Sequence, residues 1–279
     1  MWGALSMQQR TRGYARWTVG LAIAAALLLS AACSSQAGYK KIGPNSTAQE
    51  IYTDARDEMD ANSYDKAVPL WERLEGKAAG TPLAQQAQLE KAYAYFKSGD
   101  RASAIATLDR FEKLHPTSPA MDYALYLKGI INFNDDLGIL GFISKQDLSE
   151  RDQNAAKLSL QAFNDLLRRY PQSKYAEDAQ KRQRYIINSL AQSEVNVARY
   201  YYSRKTYVAA VNRAQSAIKD YPATPAQEEA LFYLVKSYDA LNLKTLADDS
   251  RRVYAASYPQ GKMLSTGPQL ELKPWWRPW

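Results

Sequence analysis

Residues Pro82 to Pro116 read PLAQQAQLEKAYAYFKSGDRASAIATLDRFEKLHP, and the two prolines that bound this stretch stand 34 residues apart. Its closing string, Leu114-His115-Pro116, has three counterparts: Arg169-Tyr170-Pro171, Lys219-Asp220-Tyr221-Pro222 and Ala255-Ala256-Ser257-Tyr258-Pro259. Proline lacks the backbone N–H and its ring clashes with the preceding turn, so each string closes an amphipathic helix. Ser118-Pro119, Ser173-Lys174 and Thr224-Pro225 follow three of these stops and are predicted to cap the next helix. Thr47-Ala48-Gln49-Glu50 and Thr224-Pro225-Ala226-Gln227 fit the capping box. The chain therefore reads as helix, turn, helix, repeated.

Internal spacing says how the two helices of each unit meet. Twelve positions before Pro116, Pro171, Pro222 and Pro259 stand Ala104, Ser159, Ala210 and Ala247, all small. A further twelve back from Ala104 and Ala210 are Ala92 and Ala198, and Ala67 has Ala55 behind it in the same way. Small residues at a crossing let two helices approach closely. With the 34-residue period, this pattern resembles the tetratricopeptide repeat. The fold expected is all-α: a right-handed superhelical solenoid of five tetratricopeptide hairpins spanning 47–262, with repeats at about 47–81, 82–116, 117–171, 172–222 and 223–259. Two intervals exceed the period. Repeat three takes up a loop insertion, mostly in 134–152, and repeat four has no Gly or Pro between Pro171 and Ala198, which predicts a lengthened first helix. Repeat five has Val235 at its first small position.

Ahead of the repeats, Arg10, Arg12 and Arg16 precede an apolar run from Val19 to Leu29, then Ser30, Ala31, Ala32 and Cys33, the one cysteine of the chain. A basic, apolar and then small-residue leader is a secretion signal. With the thiol directly behind it, the arrangement resembles the bacterial lipobox, with Ser30 where that motif usually has Leu. The resemblance implies a signal peptide at 1–32, a covalent lipid on Cys33, a tether at 33–46 and a place in the envelope facing the periplasm. Ser34 after the cysteine implies sorting to the outer membrane. The competing readings are an ordinary signal peptide and a short membrane anchor, the second weakened by an apolar run well below the roughly 20 residues a span needs.

The formal charge of +7 loses the three leader arginines on cleavage, and no block of Lys and Arg remains, so nucleic acid is not an expected partner. Twenty Tyr against 13 Gly suits packed helices. His115 is the lone histidine and precedes a turn proline where the other repeats carry Tyr, a structural position. One His and an N-terminal Cys supply no metal set and no nucleophile–base pair. Asp135-Asp136, Glu228-Glu229 and Asp248-Asp249 are adjacent acids, which on a helix diverge by about 100° and suit solvated faces. No cofactor or catalytic residue is expected, and the chain reads as a non-enzyme.

A tetratricopeptide solenoid offers a groove instead. By the resemblance, the first helix of each hairpin lines it, which places Gln49, Tyr52, Arg56 and Met59 there in repeat one. Gln86, Leu89, Tyr93, Phe96 and Lys97 occupy the same frame in repeat two. Spacings of three and four keep each set on one helical stripe. Aromatic rings flanked by cations suit an extended peptide with apolar side chains and a carboxylate end. The alternative is that Tyr52 and Tyr93 only pack between repeats.

Three stretches carry a more specific resemblance: Gly141-Phe142 with Asp147-Leu148-Ser149-Glu150-Arg151-Asp152, then Arg168-Arg169-Tyr170-Pro171 with Ser173, then Val211-Asn212-Arg213 leading to Asp220-Tyr221-Pro222. In this order, behind a lipidated N-terminus, they resemble the ComL family of outer-membrane assembly lipoproteins over about residues 33–260. The resemblance implies a subunit of the β-barrel assembly machinery. Its C-terminal repeats would dock on the periplasmic POTRA domains of the barrel subunit, with Arg213 at that interface. The N-terminal repeats would receive unfolded outer-membrane proteins in the groove of Tyr52, Arg56, Tyr93, Phe96 and Lys97. Accessory lipoproteins are further implied partners, and the lipid anchor holds the chain to the membrane. A tetratricopeptide pilotin for a secretin or pilus, or a scaffold for murein assembly, remains the alternative. Residues 263–279, ending in Trp275-Trp276-Arg277-Pro278-Trp279, are expected to form an unstructured tail.

Overall fold

The computed structural model describes Gly43, residues 45–133 and residues 153–268. The leader, Cys33, the insertion at 134–152 and the Trp-rich end lie outside the described residues. Contacts divide the chain at Glu50. Just before that point begins α1 (Ala48–Asp60). Its start is a reciprocal capping box: Glu50 N–H donates to Thr47 Oγ1 at 3.2 Å and Thr47 N–H donates to Glu50 Oε2 at 2.9 Å.

After Ile51 the chain continues as α2 (Tyr64–Lys77), α3 (Pro82–Lys97), α4 (Arg101–Leu114), α5 (Met121–Asn132) and α6 (Gln153–Arg169). Then come α7 (Ala176–Ser203), α8 (Tyr207–Asp220), α9 (Gln227–Ala240), α10 (Lys244–Ser257) and a single turn, α11 (Met263–Thr266). The described residues contain no strand, and their architecture is one of tetratricopeptide-like helical repeats. Four hairpin turns share one device, a residue in the left-handed region just past the first helix: Asn62 (φ 56°), Gly99 (φ 92°), Lys205 (φ 59°) and Asn242 (φ 58°). In the Asn62, Lys205 and Asn242 turns two backbone bonds close the helix end, as in Asn62 N–H to Met59 O at 3.0 Å and Ser63 N–H to Glu58 O at 2.8 Å.

The caps expected at Ser118, Ser173 and Thr224 take a different form. The helices start at Met121, Ala176 and Gln227, three residues after each hydroxyl. Ser118 Oγ instead donates to Gln85 Oε1 at 2.8 Å and Ser173 Oγ to Asp122 Oδ2 at 2.7 Å, so each turn is tied to the first helix of the preceding hairpin. Thr224 Oγ1 donates back to Tyr221 O at 3.1 Å, and the Gln227 amide donates to Ile218 O and Tyr221 O at 3.3 Å. The second capping box thus gives way to satisfaction of the orphan carbonyls at the end of α8.

Packing follows the small residues. Ala55, Ala67, Ala92, Ala104, Ser159, Ala198, Ala210 and Ala247 are all fully buried, and Val235 nearly so. One further small residue matters: Gly129 of α5, over which the fully buried ring of Phe163 from α6 lies. A Cβ at Gly129 would overlap Phe163 Cε1, and Ser159 Oγ donates to Gly129 O at 2.8 Å across the same crossing. Trp71, Phe111 and Phe163 are the largest fully buried side chains, each worth about 1.5–3 kcal/mol of transfer free energy or more. Two apolar clusters form, one from α3 to α7 and one from α7 to α10. The 28-residue α7 contributes Ala179, Ile186 and Leu190 to the first, and Ala191, Val195 and Ala198 to the second.

The tail expected from residue 263 begins as a docked turn. Tyr254 Oη donates to Glu228 Oε1 at 2.6 Å and accepts from Met263 N–H at 3.1 Å, while Met263 and Leu264 pack on the second cluster. An aromatic hydroxyl with two fixed partners gives these residues a place that their sequence alone does not advertise.

Candidate functional site

The first helices α1 and α3 carry the residues expected to line a peptide groove. Tyr52 of α1 sets its ring edge-on against Trp71, centroids 5.6 Å apart, and its hydroxyl accepts from Gln86 Nε2 of α3 at 3.3 Å. One turn on, Arg56 reaches Glu90 of α3 at 3.5 Å and Asp60 at 3.9 Å. The two contacts keep step because residues four apart share one face of each helix: Tyr52 and Arg56 face Gln86 and Glu90. Burial raises the Glu90 carboxyl above its ordinary range, while the Arg56 guanidinium pulls it back down. A carboxylate arriving at Arg56 would therefore compete with Glu90.

Farther along α3, Tyr93 and Phe96 are half-buried and pack against the first apolar cluster. Lys97 leaves the stripe. Its ammonium lies 5.7 Å from the centre of the Tyr64 ring, at the α1–α2 turn. The structure therefore brings Tyr52 and Arg56 together with α3, seats Tyr93 and Phe96 against the core, and places Lys97 at the rim. Gln49 and Met59 complete the α1 set, and Met59 is buried, as is Leu89 on α3.

An aromatic ladder continues through α5 and α7 that the groove frame for the first two repeats does not include. Tyr126 stacks on Tyr175 with centroids 4.7 Å apart and planes at 18°, and Tyr123 lies 5.6 Å from Tyr175. Burial, reinforced by the negative charge of Glu90, pushes the Tyr123 phenol well up. Tyr126 Oη donates to Asp178 Oδ2 at 2.8 Å, and Arg182 Nε donates to the same oxygen at 2.6 Å. Burial alone would raise the Asp178 carboxyl; the hydrogen bonds from Arg182 and Tyr126 outweigh it and hold the group below its ordinary value. The Arg182 guanidinium sits 5.1 Å from the Phe133 ring, next to the start of the insertion. The sequence signal for this ladder is the three-residue spacing of Tyr123 and Tyr126, hidden from period counting by the long interval of repeat three.

Arg213, nominated for a partner contact, lies on α8. Its Nη1 is 3.1 Å from Glu194 Oε2 on α7, with side-chain exposures of 47% and 18%. The side chain thus reaches back across its own hairpin, whereas its position three residues after Ala210 is expected to turn it outward. Three residues advance a helix by about 300°, which returns Arg213 to within about 60° of the crossing. Nearby, Arg199 of α7 donates through Nε and Nη2 to Glu229 Oε1 of α9 at 3.0 and 2.5 Å, joining two first helices. His115 packs on Phe111 at 5.1 Å. Among the described residues no group of three or more His, Cys, Asp or Glu could hold a metal ion, and no helix is long and apolar enough to cross a membrane.

Comparison with known proteins adds to this geometry. The family described as YfiO, outer membrane lipoprotein, matches residues 44–253. The outer membrane protein assembly factor BamD of Neisseria meningitidis serogroup B is 41% identical over 262 residues, which cover 93% of this chain and 98% of that protein. BamD of Xylella fastidiosa strain Temecula1 is 36% identical over 211 residues, 76% of this chain and 72% of that one. BamD of Vibrio cholerae serotype O1 is 32% identical over 228 residues, 82% and 93% of the two chains.

Proposed function

The chain belongs to the YfiO family of outer membrane lipoproteins, and on that premise we propose that it is a scaffold of the β-barrel assembly machinery, receiving unfolded barrel proteins in its early repeats and holding the barrel subunit through its late ones. Its location is the outer membrane and its class is that of a protein assembly factor. In this reading the helices are five tetratricopeptide repeats wound into a right-handed superhelix, and a lipid on Cys33 fixes them to the membrane. POTRA domains of the barrel subunit meet the face bearing Arg213, and accessory lipoproteins add to the assembly. No catalytic step is assigned to any residue.

The observation that carries the substrate-receiving role is the pairing of α1 with α3. Tyr52, Arg56, Gln86 and Glu90 form one half-exposed aromatic and ionic stripe, with Tyr93 and Phe96 beyond them on the same helix. An extended peptide ending in an aromatic residue and a carboxylate would lay its ring along the aromatic part and exchange Arg56 from Glu90 to its own terminus. Arg56→Gln tests this with two peptides of one sequence, one ending in a free carboxylate and one in an amide. A charge-assisted hydrogen bond of about 1.5–3 kcal/mol predicts at least a ten-fold loss for the first peptide and little change for the second. Equal effects on both, or none, would remove Arg56 from the site.

A further inference from the structure

We propose that the end of the solenoid formed by the α7–α8 and α9–α10 turns rests on a phospholipid surface, as a second membrane contact independent of any lipid on Cys33. The proposal rests on the outer-membrane location, which puts such a surface within reach. Large exposed apolar side chains are the first observation. Eight stand out among the described residues, and four of them belong to these two turns and the helical turns that flank them: Tyr200, Val208, Leu243 and Leu246. Val208 is 61% exposed and Tyr200 55%.

Charge is the second. Residues 200–208 read YYYSRKTYV and 241–247 read LNLKTLA, with three cations and no acid. Arg204, Lys205 and Lys244 are exposed, and among the described residues none of the three pairs with a carboxylate; Arg204 lies over the Tyr200 ring at 5.5 Å. The acids nearby are already engaged, Asp239 and Asp248 by Arg251 and Asp249 by Arg252. The two turns lie at the same end, because α7 and α9 are both first helices of their hairpins: Tyr202 at the end of α7 lies 5.6 Å from Tyr207 and from Tyr233 of α9, and α8 packs on α9.

The third observation is backbone conformation. The left-handed position of the hairpin turn is Asn62, Gly99 and Asn242 elsewhere, residues that tolerate φ near +60°, whereas the α7–α8 turn holds Lys205 there at φ 59°. A lysine kept where asparagine would sit with less strain points to a use for its charge. Tyrosine rings with cations and a few aliphatic tips are the side chains that settle at the headgroup level, the rings and aliphatic groups dipping in and the cations meeting phosphate. A protein partner would equally accept the apolar tips, but the unpaired single-sign charge favours an anionic lipid surface.

The test uses the full chain in a Cys33→Ser background, with vesicles of phosphatidylethanolamine containing one quarter phosphatidylglycerol. An environment-sensitive fluorophore on Val208→Cys should shift to the blue and be quenched by lipid-borne quenchers; the same probe on Gln172→Cys, in the α6–α7 turn, should stay aqueous. In the unlabelled chain, Lys205→Asn should leave the melting temperature unchanged or raise it while weakening vesicle binding about five-fold, and Arg204→Glu, Lys205→Glu, Lys244→Glu together should weaken it roughly a hundred-fold or more. Binding should also fall with salt. A probe at 208 that stays aqueous, or triple-variant binding equal to the parent, overturns the proposal. So does equal affinity for vesicles lacking phosphatidylglycerol. If the triple variant binds vesicles normally but no longer recovers the barrel subunit, the surface serves a protein instead. The groove experiment with Arg56 reads a different site, so either result stands without the other.

Discussion

Gly129→Ala tests the packing of the third hairpin. The new Cβ would overlap Phe163 Cε1 and lie 2.7 Å from Cδ1 and Cζ, all shorter than real Cβ contacts. Phe163 has little room to yield, since it is fully buried with Tyr126 at 6.3 Å and Phe133 at 6.5 Å, and the Ser159 bond to Gly129 O ties the backbones together. Alanine gains about 0.5–1 kcal/mol over glycine in a helix interior. Overpacking a filled core costs about 1–3 kcal/mol. A fully buried ring this close puts the cost at the upper end of that range, so the overpacking term wins, for a net loss of about 1–2 kcal/mol. In a chain of this size that lowers the melting temperature by roughly 2–8 °C, read by circular dichroism at 222 nm. Adding Phe163→Leu, which removes the ring, should make the Gly129→Ala step nearly neutral. A Gly129→Ala protein that melts at or above the parent temperature would refute the reasoning, because helix propensity would then have outweighed the contact.

Cys33→Ala should abolish incorporation of labelled fatty acid and let high salt extract the chain from the membrane pellet; label retained in the variant would place the lipid elsewhere. Arg213→Glu should put two like charges together at Glu194, and should reduce recovery of the barrel subunit with the helical spectrum intact. Adding Glu194→Arg restores the intramolecular pair with its polarity reversed. If that double variant recovers the barrel subunit as well as the parent, Arg213 matters through the hairpin and not through the partner.

The helices were legible because their signals are local and repeated. Proline stops and small residues at fixed intervals mark where a helix must end and where two must cross, and the buried Ala104, Ser159 and Ala210 sit at those crossings. The capping residues were less legible. A Ser or Thr near a helix start has two partners within reach, and at Ser118 and Ser173 a side chain of the preceding hairpin replaces part of the expected cap. Gly129 escaped the spacing argument because repeat three departs from the period. Arg213 shows a different limit: sequence places a side chain on a helix face, but the acid it meets belongs to another helix, and Glu194 becomes its neighbour only when α7 and α8 pack. The basic, acid-free turns were present in the sequence as well, and the hairpin repeat puts both at one end, yet nothing there says that Tyr200, Val208, Leu243 and Leu246 beside them stay exposed.

A helix is also a rigid rod, and α7, at about 42 Å, is a long one. Asp178 and Arg182, near its beginning, form part of the aromatic wall with Tyr126, and Glu194, toward its other end, holds Arg213. A rod cannot tilt at one end and stay still at the other. Any chain that wedges between Tyr126 and α7 therefore acts as if on a lever, with the Leu190–Ala191 boundary between the two cores as the fulcrum and the Glu194–Arg213 latch on the far arm.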